Sequence, residues 1–236
     1  MKKHKGLIIL IVILIMIYVF FFVYAKYNKV LEVSSMQEHS LFYTKKINIY
    51  EEKYYIKVVY PYTIYNNVNQ YIDENINKLI SEFKEVIKEK NNIGQERYFL
   101  EISFDIIETN KYLNFTFDIQ KNTGDLHPQK NIFTVNIDKM NKSIITIEDL
   151  TKMYNNYLEK VSNFCYNELK KLEDIKEQGA YTLLELGTKG KESNYKNFII
   201  MNNSIEIIFE HAQIAPYYLG EFSVIISREY LNEENT

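Results

Sequence analysis

From Leu7 to Ala25 the sequence runs for 19 residues without a charged side chain, LIILIVILIMIYVFFFVYA. As a helix rising about 1.5 Å per residue, this run is roughly 28 Å long, close to the hydrocarbon thickness of a bilayer. Lys2, Lys3 and Lys5 lie on its short side. Positive residues stay in the cytoplasm, so the N-terminus is expected inside and everything after Lys26 outside. The competing reading is a signal peptide cleaved after Ala25, at Val23–Tyr24–Ala25. The run is longer than the 7–15 residues of an ordinary signal core, which favours a retained anchor. The expected product is a single-pass cell-membrane protein, or a secreted one if cleaved. A buried core helix, apolar on every side at the extreme N-terminus, is the least favoured reading.

A chain of 236 residues suits one domain plus an accessory segment. The expected division is a stub and anchor over 1–25, a juxtamembrane linker over 26–46, an extracytoplasmic domain over 47–231 and a frayed tail over 232–236. The net charge is −3, and setting aside the three lysines of residues 1–5 leaves −6 outside. Nucleic-acid binders need a basic patch, so that class is disfavoured, while a cationic protein partner would suit the charge. Cys165 is the lone cysteine and cannot form an internal disulfide. The 21 tyrosines and 14 phenylalanines come with many Ile, Asn and Lys, so their abundance does not by itself argue for sugar stacking.

Strand texture begins in YYIKVVYPYTIY, with Pro61 expected to end the strand because it cannot donate to a central ladder. Val68, Ile72, Ile76, Leu79, Ile80, Phe83 and Ile87 then recur at helical spacing, predicting a helix from about Val68 to Lys90. A hairpin is expected around Asn110–Lys111, with Phe99, Ile102, Phe104, Phe115 and Phe117 inward, and two short strands around Met140–Lys142. Leu150, Tyr154, Tyr157, Leu158, Val161, Cys165, Leu169 and Leu172 share a face of a second expected helix, on which Cys165 reads as a small core residue. Glu148 and Asp149 at its start read as charges complementing the helix dipole. Lys176–Lys196 is expected to hold a short helix at Tyr181–Leu186. NFIIMNNSIEIIFE predicts a hairpin with Asn202–Asn203 at positive φ, EFSVIIS a closing strand, and the chain from Glu229 a fraying tail. The fold class expected is α+β: a mainly antiparallel sheet with two principal helices packed on it, preceded by one transmembrane helix.

Familiar catalytic motifs, including G-x-S-x-G, a phosphate-binding loop and H-E-x-x-H, are missing from the sequence. What remains is Asp125 with His127 in TGDLHPQKN, and Glu210 with His211 in FEHAQIAPYYLG. Two imidazoles and two carboxylates could hold a metal if these loops met. The structural reading is stronger: Gly124 permits a turn, Pro128 forces His127 to be extended, and the imidazole bonds a backbone carbonyl. His4 and His39 flank the membrane and carry no assigned role.

The ordered series YIKVVYPY, VNQYIDENI, GDLHP, FTVNID, ITIEDL, NFIIMNNSIEIIFE and IAPYYLG resembles the RsiV/PdaC-like extracytoplasmic domain family, shared by a lysozyme-responsive anti-sigma factor and a peptidoglycan deacetylase. The resemblance runs from about Tyr54 to Ile226, with HP and IAPYxxG its most specific parts. It implies an α+β module that is not itself catalytic, without cofactor or metal, whose binding residues are drawn from Asp125, His127, Pro128, His211, Pro216, Tyr217 and Gly220. In the family a second glycine and a small residue commonly precede HP, where this chain has Asp125 and Leu126. With five residues ahead of the apolar run, no sigma-binding region is expected before it, and no deacetylase domain is expected after the module. The expectation is a membrane-anchored binding module at the cell wall that recognises lysozyme or peptidoglycan, or another membrane protein. The alternative is a metal-assisted cell-wall hydrolase using His127 and His211.

Overall fold

The computed structural model describes residues 41–90, 97–125, 127–177 and 179–233. The apolar run Leu7–Ala25 lies outside these residues, among which no helix is long and apolar enough to cross a membrane. The fold is α+β with mostly antiparallel strands, divided between two sheets where one was expected. Six strands form the first, in the order β1 (Phe42–Tyr50), β2 (Tyr54–Thr63), β3 (Tyr98–Glu108), β4 (Tyr112–Asn122), β5 (Gln129–Asp138) and β6 (Ser143–Ile145). Three form the second: β7 (Phe198–Ile200), β8 (Ser204–Phe209) and β9 (Phe222–Ser227). β1 begins at Phe42, inside the stretch read as linker.

The pair β2–β3 is parallel, which requires a crossover between the two strands. Helix α1 (Asn66–Lys88) supplies it and buries Val68, Ile72, Ile76, Ile80, Phe83 and Ile87 against the sheet. Burial of each such side chain stabilises the fold by about 1.5–3 kcal/mol relative to exposure. The buried Asn69 joins the helix start to the end of β2: its Oδ1 accepts from Thr63 N at 2.7 Å and from Thr63 Oγ1 at 2.9 Å, and its Nδ2 donates to Thr63 O at 2.8 Å.

Pro61 does not end β2. Ile64 N bonds Leu41 O, so by alternation position 61 faces away from β1, and on that side the register with β3 has already stopped at Val58↔Ile102. A proline there breaks no ladder bond. Of the five inward residues expected in the β3–β4 hairpin, Ile102, Phe115 and Phe117 are buried and Phe104 is partly so. Phe99 belongs to the other face, because Tyr98, Leu100 and Ile102 take the inward parity.

The second expected helix is two helices, α2 (Ile147–Met153) and α3 (Tyr157–Leu169). The break falls at Asn156, whose φ is +54°, a conformation Asn tolerates better than most residues. α2 starts on a capping box: Thr146 N donates to Asp149 Oδ2 at 2.8 Å while Thr146 Oγ1 accepts from Asp149 N at 3.3 Å. The bond from Thr146 N foremost, and a second from Thr146 Oγ1 to the same Oδ2, hold the Asp149 carboxyl below its ordinary pKa.

Leu150, Tyr154, Tyr157, Val161, Cys165 and Leu169 then fill the second core with residues of β7–β9, whereas Leu158 is only partly buried and Leu172 is exposed. Burial pushes the Cys165 thiol well up, which suits a core residue. Short helices α4 (Glu173–Glu177) and α5 (Tyr181–Gly187) follow. The β7–β8 turn needs no positive φ at Asn202 or Asn203; Met201 N bonds Ser204 O and Asn203 O takes Arg228 N. The tail expected to fray from Glu229 forms α6 (Arg228–Asn232), because Ser227 caps it, Leu231 is buried and Lys160 Nζ donates to Leu231 O at 2.9 Å.

The second sheet sits on the polar face of the first. β4 turns Leu113, Phe115, Phe117 and Ile119 toward α1, which leaves Asn114, Thr116, Asp118 and Gln120 on the opposite side. There Asn136 Nδ2 donates to Phe198 O at 2.8 Å, Asn114 Nδ2 to Ile200 O at 3.1 Å, and Phe198 N to Thr134 Oγ1 at 3.1 Å. The edge of β7 that does not face β8 is thus satisfied by side chains instead of a fourth strand.

Candidate ligand-binding cleft

Beyond this docking seam the same polar face opens into a cleft of about 400 Å³. β3, β4 and β5 contribute Ser103, Asp118, Gln120, Lys130 and Asn131; the loop between β8 and β9 contributes His211 and Glu221. Ser103 pairs with Asp118, and Gln120 with Lys130, across adjacent strands, so the floor is fixed by the ladder.

The loop above is held in unusual backbone conformations. Ala212 has φ +62°, uncommon for a residue with a Cβ. Gly220 has φ +85° and ψ −153°, a region open essentially to glycine alone. Between them Tyr217–Leu219 make a turn of 3-10 helix after Pro216, whose carbonyl accepts from Leu219 N at 3.0 Å. Gln213 fastens the loop from behind, donating to Asn194 O at 2.9 Å and Gly187 O at 3.2 Å. Gly187 must lack a side chain, since a Cβ there would lie 2.2 Å from Gln213 O.

Two segments singled out in the sequence meet here. The Tyr217 hydroxyl accepts from Lys130 N at 2.9 Å and donates to Pro128 O at 3.2 Å. The IAPYYLG loop therefore clamps the backbone of the HP loop. Asp125 braces the latter from inside, its Oδ2 accepting from Thr123 Oγ1 and Gln129 Nε2, both at 3.0 Å. His127, expected to bond a backbone carbonyl, is exposed and makes no hydrogen bond to a described residue. It is the carbonyl of Pro128 that is engaged, by the Tyr217 hydroxyl.

His211 is the histidine that lines the cleft. Its Nδ1 lies 3.2 Å from Tyr217 O and its ring 4.8 Å from the Tyr217 ring, with Nε2 3.5 Å from Glu221 Oε1. Only a donor can face the carbonyl, so Nδ1 carries a hydrogen. Nε2 then meets Glu221 favourably only with a proton between them, on the imidazole or the carboxyl. Burial holds the Glu221 carboxyl above its ordinary pKa, and His211 opposes that rise. Asp118 is raised likewise, first by burial and then by Asp105, with Lys130 opposing.

His127 and His211 do not join in a ligand set: among the described residues no three of His, Cys, Asp and Glu form a group that could hold a metal. Sequence reading missed Ser103, Asp118, Gln120, Lys130, Asn131 and Glu221. The available signal was the run of polar residues at alternate positions of β4, opposite a face of Leu, Phe and Ile.

Residues 148–229 match the family described as a protein of unknown function, DUF3298. That segment contains the second sheet, its helices and the His211–Glu221 loop, whereas the floor of the cleft precedes it. Among curated proteins, the chain is similar to the peptidoglycan-N-acetylmuramic acid deacetylase PdaC of Bacillus subtilis (strain 168), 33% identical over 157 residues. The match takes in 64% of this chain and 33% of the relative, so the chain spans about a third of that protein's length. Two solved structures share the fold. One is a DUF3298 family member of Bacteroides fragilis, with TM-score 0.54, 16% identity and coverage of 84% of this chain and 92% of that one. The other is a DUF3298 family protein of Pseudomonas aeruginosa PAO1, with TM-score 0.53, 10% identity and coverage of 80% and 92%. The resemblance to the PdaC-like domain, first carried by HP and IAPYYLG, thus holds: the chain carries a PdaC-like domain, and residues 148–229 of it match DUF3298.

Proposed function

We propose that the chain is a membrane-anchored, extracytoplasmic, non-catalytic binding module at the cell wall, and that the cleft between the HP and IAPYYLG loops takes peptidoglycan. The observation that carries this reading is the cleft itself. Apart from Ile119, its lining is of residues with hydrogen-bonding side chains, most of them on a rigid strand floor, which suits a hydroxyl- and amide-rich ligand better than an apolar one. The PdaC-like character of the domain adds support, because that relative is named for action on peptidoglycan. Binding rather than chemistry is favoured because, among the described residues, the Ser103 hydroxyl has no hydrogen bond to the His211, Asp118 or Glu221 that share its cleft, and no metal-ligand group forms.

Lysozyme is the second reading, supported by the charge of −6 outside the first five residues, which would steer a strongly basic protein to this surface. The test is co-sedimentation of the full chain with intact peptidoglycan, with lysozyme binding, salt dependence and metal content measured on the same preparation. Retention on peptidoglycan is the expected result. Salt-sensitive binding to lysozyme alone would establish the second reading. Binding to neither, with stoichiometric metal, would turn the assignment toward a hydrolase.

A further inference from the structure

On the same side of the first sheet as the cleft floor, Tyr50, Tyr55 and Phe99 stand side by side on β1, β2 and β3. Tyr50 pairs with Tyr55, and Tyr55 with Phe99. The rings lie nearly parallel, 6.4 Å apart at 25° and 5.4 Å apart at 13°, and Tyr50 is 62% exposed. Lys57 Nζ sits 4.8 Å from the Tyr55 ring centre and 3.3 Å from Glu101 Oε1. The aromatic row is thereby fixed, and its two neighbouring charges neutralise each other.

The row is continuous with the cleft. Along β3 the face carries Phe99, Glu101 and Ser103, opposite Asn122, Gln120 and Asp118 of β4; Ser103, Gln120 and Asp118 line the cleft. Phe99 to Ser103 is about 13 Å at roughly 3.3 Å per residue, and the aromatic row adds two strand spacings, about 10 Å.

We propose that this face is one extended track for a linear glycan chain, with the cleft seating one end and the Tyr50–Tyr55–Phe99 row stacking against sugars further along. This rests on the wall-ligand reading and narrows it to the glycan. A peptide would pair with a sheet edge; β1 is the track's one edge strand and contributes only Tyr50 at its end, while β2, β3 and β4 are interior strands paired with neighbours on both sides. A basic protein would seek unpaired carboxylates, whereas Glu101 is matched by Lys57. Aromatic surface beside hydrogen-bonding side chains suits a chain with alternating apolar and hydroxyl-bearing faces.

The experiment is calorimetric titration of the full chain with N-acetylglucosamine oligomers of two and six sugars, for the native protein and for Tyr55→Ala and Phe99→Ala, with melting temperature as the control for folding. The hexamer should bind more tightly than the dimer. Each variant should lose about three- to tenfold in hexamer affinity with dimer affinity unchanged, the range expected for one aromatic contact. Equal affinity for both oligomers, or hexamer binding indifferent to both variants, overturns the track. Retention on intact peptidoglycan without binding to the hexamer also overturns it while leaving the wall reading intact; failure on both ligands removes both.

Discussion

At the scale of single residues, Tyr217 holds the site's two loops together through one hydroxyl. Tyr217→Phe removes a bond accepted from Lys130 N and one donated to Pro128 O, and should destabilise the fold by about 1–2 kcal/mol. Hydrogen exchange at the Lys130 amide should accelerate in that variant; unchanged protection would mean the clamp is not formed. Gly220→Ala should cost about 1–3 kcal/mol in thermal unfolding. The nearest atom to an added Cβ is His211 Cε1 at 4.0 Å, so the penalty would be backbone strain rather than a clash. Asp118 illustrates the electrostatics. Its raised pKa means that the folded state favours the protonated carboxyl, so stability is fully present below the unfolded pKa and is lost as pH rises through the folded one. Asp118→Asn should therefore melt higher than the native protein at neutral pH, with the gap closing once the medium is more acidic than the ordinary carboxylate range. A gap that persists in acid would exclude the ionisation as its cause. Residue spacing could flag His127 and His211 as a pair, but only the fold decides that one is exposed and the other lines the cleft.

At the scale of elements, the docking of β7 on β4 and β5 is the least expected feature. Asn114 and Asn136 are both buried, and they serve the backbone of Phe198 and Ile200. Asn136→Ala would leave Phe198 O without that donor inside the protein, a loss of about 1–3 kcal/mol. Thermal unfolding should register it; a change within a few tenths of a kcal/mol would mean that the seam between the sheets is held by apolar packing alone. Local elements were legible in the sequence wherever one period dominated. Helix α1 was read almost to its ends because its apolar stripe faces a single sheet. The break between α2 and α3 escaped because the helical phase continues through Tyr154 and Tyr157, and only the positive φ of Asn156 divides them. The second sheet escaped for a different reason: hairpin signals identify β7–β8, but not whether an edge is met by a strand or by asparagine side chains.

At the scale of the whole molecule, two cores built from different stretches of chain meet across a polar seam, and the cleft lies where that seam opens. Such a site belongs to neither half. Its floor precedes the DUF3298 segment and its roof lies within it, so neither part alone would present the ligand with both walls. The most direct test of the central claim is sedimentation with intact peptidoglycan of the full chain carrying Ser103→Trp, which fills the cleft from an exposed floor position. The account predicts that peptidoglycan binding is lost while the melting temperature stays within a degree or so of the native protein. Undiminished binding by that variant would contradict it and place the wall-binding surface elsewhere.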